Sequence, residues 1–125
     1  MKIVSLVGYH KLYATDSFWE DYRKLYGKDK VSYESEKRVL LTNLNLLNAV
    51  PLSELLQMQQ FEKLSPDELF SIRHVSKKNP RVLFAVDKER DACVLLCCFL
   101  EKSQSDYHRA KKKAQDIVKI LEVSS

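Results

Sequence analysis

Apolar positions along the chain change their spacing several times, and each change marks a new element. Residues 2–13 mix apolar and polar positions in a way that suits one long strand or two short ones. Thr15-Asp16-Ser17 then offers a cluster of helix N-cap residues. Phe18, Trp19, Tyr22, Leu25 and Tyr26 follow at helical spacing and form one apolar face, which Gly27 is placed to stop. Ser32 is a candidate cap for a second helix, with Val39, Leu40, Leu44, Leu47 and Val50 on its inner side. Pro51 ends that helix or starts a short turn through Leu55 and Leu56.

Strand patterns take over in the second half. Ser65-Pro66-Asp67-Glu68 reads as a turn, Leu69 to Val75 as a strand, and Lys78-Asn79-Pro80 as another turn. Arg81 to Val86 and Cys93 to Leu100 are two further strands around a polar hairpin at Asp87–Asp91. Ser103-Gln104-Ser105-Asp106 caps a last helix with Ala110, Ala114, Ile117, Val118 and Leu121 on one face. The expected fold is therefore α+β: an antiparallel, twisted sheet of about four strands, with an N-terminal helix hairpin and a C-terminal helix packed on one side. A single domain over residues 1–125 fits this length, and two glycines and three prolines leave little material for a linker.

Charge sharpens the picture. Residues 1–70 hold nine basic and ten acidic side chains, net −1, whereas residues 71–125 hold twelve and seven, net +5. A polyanion would therefore meet the second half. The apolar N-terminal run is broken by Gly8, Tyr9, His10 and Lys11, too early for a membrane span, and the expected location is the cytoplasm. Cys93, Cys97 and Cys98 all fall in one strand, an arrangement of small buried hydrophobes rather than a disulfide framework or a zinc cluster. Cys97 and Cys98, being neighbours, should point to opposite faces.

From Phe61 onward the order of residue types resembles the RelE/HigB-like toxins of bacterial toxin–antitoxin pairs, in particular their phage-associated branch. Lys63-Leu64 with Glu68-Leu69-Phe70-Ser71-Ile72-Arg73 is similar to that branch's lysine-leucine and its leucine-phenylalanine-glutamate-leucine-arginine strand. Arg81-Val82-Leu83-Phe84 resembles its arginine-led next strand. Val94-Leu95-Leu96 to Phe99 and Lys102-Ser103-Gln104 resemble its apolar strand and lysine-threonine-glutamine loop, and Arg109-Ala110-Lys111 its last helix. Ser71 stands where the pattern has an acid, Cys98 where it has glycine, and Glu101 where it has the first of two basic residues.

The resemblance implies a ribosome-dependent messenger-RNA endoribonuclease that needs no cofactor and drives a 2′-hydroxyl onto the adjacent phosphate. It also implies the ribosome and its message as partners, together with a cognate antitoxin of helix-turn-helix type. Such chemistry calls for cations that stabilise a phosphorane-like dianion and for groups that move protons. Arg73 and Arg81 match arginines of the pattern and are candidates to clamp phosphate; the alternative is a pair of solvated strand-end arginines, paired with Glu68 or Glu101. Lys102 is a candidate to neutralise developing charge, or else a snorkelling surface lysine. His74 and His108 have the ordinary pKa for proton transfer near neutrality, though both residue types also serve as packing or surface groups. His74 and Arg73 are neighbours on a strand and should face opposite ways. Lys77, Lys78, Arg109, Lys111 and Lys112 suit contacts to RNA backbone, and Tyr107 suits stacking on a base. Two other readings stay open: a non-catalytic toxin that binds a protein, as the gyrase-inhibiting relatives do, and a catalytically silent, phage-derived interaction module.

Overall fold

The computed structural model describes residues 2–64, 69–74 and 80–124. Two short strands, β1 (Ile3–Ser5) and β2 (Leu12–Thr15), open the chain. Three helices follow: α1 (Asp16–Tyr26), α2 (Lys30–Ala49) and the single turn α3 (Leu52–Leu55). Strands β3 (Phe61–Leu64), β4 (Leu69–Arg73), β5 (Pro80–Asp87) and β6 (Ala92–Leu100) lead to the last helix, α4 (Gln104–Ser124).

The class is α+β as the pattern indicated, but the sheet is larger and of mixed type. Its six strands run in the order β1-β2-β6-β5-β4-β3. Strands β3 to β6 are antiparallel neighbours, whereas β2 lies parallel to β6, with Leu12 beside Cys93 and Ala14 beside Leu95. The expectation of about four antiparallel strands is therefore corrected in two ways. β1 and β2 pair as an antiparallel hairpin, and Phe61–Leu64 adds an outer strand that its burial at only the first and last residue hides from a period-two pattern.

Helices cover both faces rather than one. On one side α1, α2 and α3 bury Phe18, Tyr22, Leu40, Leu44, Leu47 and Leu55 against Leu12, Ile72, Val82, Phe84 and Leu95. On the other side α4 lays Ala110, Ala114 and Ile117 over Leu64, Leu69, Leu83, Leu96 and Cys97. The small alanines let the helix approach the sheet closely, which is why α4 carries them on its inner line. A bulge serves this second core. Leu83 pairs with Cys97 and Phe84 with Leu95, so Leu96 is the extra residue, and both Leu96 and Cys97 pack toward α4. Cys98 then returns to the opposite core, so the two adjacent cysteines do face opposite ways.

Helix ends follow local chemistry. The Thr15 hydroxyl accepts from the Phe18 N–H at 3.2 Å and donates to the Leu96 carbonyl at 2.9 Å, so one buried side chain caps α1 and ties it to β6. Gly27, at φ +55°, ends α1 and donates its N–H to the Arg23 carbonyl. The cap of α2 is Asp29, accepting from the Ser32 N–H at 3.1 Å, and not Ser32 itself. No helix among the described residues is long and apolar enough to cross a membrane.

Candidate functional site

One end of the sheet gathers most of the chemistry on the α4 face. Arg73 is the direct register partner of Arg81, and Arg81 that of Phe99, so all three side chains leave the same side of the sheet. Glu62 joins them from β3 as the partner of Ser71, two residues before Arg73. Glu101 and Lys102 follow Leu100, which pairs with Pro80 at the start of β5, and so lie at the same end.

Arg81 is the hub. Its guanidinium Nε makes a close ion pair with Glu101, its Nη1 lies 3.6 Å from Glu62, and the group stands 5.8 Å over the Tyr107 ring. Tyr107 in turn packs edge-on against Phe99, with ring centroids 6.3 Å apart. Burial, then the Glu62 charge, raise the Tyr107 pKa, with Arg81 lowering it and Glu101 raising it further. Glu62, Arg81, Glu101 and Tyr107 thus share one electrostatic neighbourhood. Arg73 differs: it is exposed, and no ion pair ties it to any described residue. Two like charges directly opposite on neighbouring strands repel, so the pair gains when an anion bridges it.

Glu101 is one of the two partners named for the arginines under the alternative reading of solvated strand-end groups, and it pairs with Arg81. Glu62 was not anticipated, because nothing in its own segment marks it. Only the β3–β4 register brings it over Ser71. The Ser71 hydroxyl beneath is buried and has no hydrogen-bond partner among the described residues.

His74 is far from this group in direction. It is buried on the α2 side, where the Asn43 amide Nδ2 donates to its Nδ1 at 3.0 Å, and Gln60 donates to the Asn43 carbonyl oxygen at 3.5 Å. Burial pushes its pKa down to about 4, with Glu36 on α2 pulling weakly upward. With Nδ1 accepting, the ring proton sits on Nε2, which is buried without a hydrogen-bond partner among the described residues. His74 therefore faces away from Arg73, and the structure does not bring it together with the arginines. His108 is exposed in the first turns of α4, and its ring lies 6.2 Å from that of Tyr107 between centroids. Lys102 is exposed, and its backbone N–H donates to Asp106 Oδ2 at 3.1 Å. That bond, with Arg109 beside it, lowers the Asp106 pKa.

The proposed backbone-contact residues divide. Lys77 and Lys78 lie outside the described residues. Arg109 pairs with Asp106 at 2.6 Å on the surface of α4, and Lys113 pairs with Asp21 of α1 at 2.9 Å. Between these pairs an open groove of about 340 Å³ runs past Cys97 and Phe99, its charges already satisfied internally. Lys112 is exposed and lines a second groove of about 380 Å³ with Ser17 and Ile120, while Lys111 is half-buried. The three cysteines are buried free thiols, and burial raises the Cys93 pKa to about 11 and that of Cys97 to about 12. Among the described residues no group of His, Cys, Asp and Glu converges as a metal site. No protein-family model matches the chain, and no curated protein gives a significant match.

Proposed function

We propose that the protein is a RelE/HigB-like toxin that cuts messenger RNA on the ribosome and is held in check by an antitoxin. The observation that carries this reading is the Arg73–Arg81 pair: two guanidinium groups on one sheet face, one exposed and without an ion pair among the described residues. Bridging a phosphodiester relieves their repulsion and supplies bidentate donors to a phosphorane-like dianion. Lys102 adds a third cation at the same end, and the Tyr107 ring a surface for a base. The succession β2, α1, α2, then strands and a last helix is the order that the resemblance implies. The departure at Ser71 also finds an explanation, since Glu62 supplies a carboxylate from the register-paired position one strand away.

A second reading, a toxin that binds a protein without cutting RNA, draws on a different observation. Arg81 is already paired with two carboxylates, and neither histidine stands beside it. Induced expression in a bacterium with 5′-end mapping of messages separates the two. Cuts confined to translated regions, lost in Arg73→Ala, support the ribonuclease. Growth arrest without cuts favours the protein-binding toxin, and no arrest favours a silent interaction module.

A further inference from the structure

Arg81 meets a phosphate with an anion already in hand. Its Nε pairs closely with Glu101, and its Nη1 lies 3.6 Å from Glu62. The arginine side chain is only 14% exposed, with the Tyr107 ring over its guanidinium at 5.8 Å. Carboxylate and phosphate compete for the same planar fork of donors, so Glu101 holds a donor that a phosphate oxygen would take. Glu101 is an internal stand-in for that oxygen, and its place in the chain lets it leave. The β5–β6 ladder ends at the Pro80–Leu100 pair, one residue before it, and α4 starts only at Gln104. Its side chain is 32% exposed, so it can turn into solvent once displaced.

Resting on the ribonuclease reading, we propose that Glu101 is a specificity-determining residue: it occupies the Arg81 guanidinium until a phosphate held in place by the ribosome displaces it. The exchange gives up the Arg81–Glu101 pair, so a phosphate gains only the difference between two charge-assisted contacts. A loose single strand must also give up its chain freedom, and that small difference does not offset the loss. A message already ordered on the ribosome has lost that freedom beforehand and completes the exchange. Net charge acts in the same direction. Arg73, Arg81 and Lys102 against Glu62 and Glu101 sum to one positive charge, which weakens the pull on free RNA, and neutralising Glu101 would double it.

The test reads binding apart from chemistry. A short fluorescein-labelled single-stranded RNA, 2′-O-methylated so that it cannot be cut, is titrated by anisotropy across a salt series. The proteins are wild type, Glu101→Gln, Arg81→Ala and the double variant, each checked by thermal melting. Glu101→Gln is expected to bind about five- to tenfold tighter at the lowest salt, with log affinity falling more steeply against log salt by about 0.7, the mark of one added phosphate contact. Glu101→Ala, which keeps no hydrogen bond to Arg81, should give the same gain and slope. In the Arg81→Ala background either change should alter affinity by less than about twofold and leave the slope as it was. Equal tightening with and without Arg81, as removal of a bulk charge would give, overturns the assignment, and so does the absence of tightening in folded variants. Cleavage of a message on programmed ribosomes by wild type tests the ribonuclease reading separately. An intact message there overturns that reading, and the ribosomal selectivity with it, whereas a cut message with a failed binding cycle overturns the role of Glu101 alone.

Discussion

The buried histidine gives the sharpest test of the structure, because its protonation is a folding equilibrium that can be measured without knowing any substrate. Burial lowers the His74 pKa from 6.5 to about 4. The groups facing it are Asn43 and Glu36 from α2, with Gln60 behind Asn43. The folded protein resists the proton while the unfolded chain accepts it near its ordinary pKa. This contribution is therefore complete above the unfolded value, declines as pH falls below it, and levels off only below the folded value, where both states are protonated. At roughly 1.4 kcal/mol per pH unit of difference, the full span is about 3 kcal/mol, of which about 2 kcal/mol is lost between about pH 7.5 and pH 5. Other titrating side chains add their own slope, so the measurement is a difference. Urea unfolding of wild type and His74→Gln at both pH values cancels the shared part, since glutamine can accept from Asn43 and does not titrate. The stability advantage of wild type over the variant should shrink by about 2 kcal/mol on acidification. Parallel pH profiles for the two proteins would show that His74 is not held neutral in the fold.

Three further outcomes follow from specific contacts. Thr15→Val removes a hydroxyl that both caps α1 and donates to β6, so it should cost about 1–3 kcal/mol by urea unfolding, with Thr15→Ser recovering most of it. Phe84→Ala, truncating a fully buried ring that stacks on Phe70 with centroids 5.4 Å apart, should cost about 3–5 kcal/mol in the same assay. The buried thiols should be silent toward a thiol-reactive dye at neutral pH in the native protein, and all three should react at once after denaturation.

Short-range chemistry was the legible part of this chain. Thr15 before an aromatic helical face, Gly27 after it, and the Asp87–Asp91 turn between two apolar runs each announced an element that formed. What stayed hidden depends on partners far away in sequence. Nothing in Leu12–Thr15 declares that it will lie parallel to β6, some eighty residues on, and nothing local reveals the bulge that turns both Leu96 and Cys97 toward α4. The site divides in the same way. That Arg73 and Arg81 belong together could be read from their places at two strand ends, and that His74 turns away from Arg73 follows from strand alternation alone. That Arg81 is bound by two carboxylates, one of them on an unanticipated strand, could not. Ion pairing of that kind is set by register, which one residue of slippage would reverse.

The parallel pairing of β2 with β6 has a consequence for synthesis. β6 is the last of the six strands to leave the ribosome, yet it lies between β2 and β5 and touches both cores. Until Ala92–Leu100 has emerged, the nascent chain holds two separate fragments, the β1–β2 hairpin and the β3–β4–β5 meander, with no strand to join them. The Thr15 hydroxyl waits for a carbonyl 81 residues downstream. A chain stalled before that point would expose Leu12, Val82 and Phe84 together, which makes the unfinished product a substrate for chaperones and proteases.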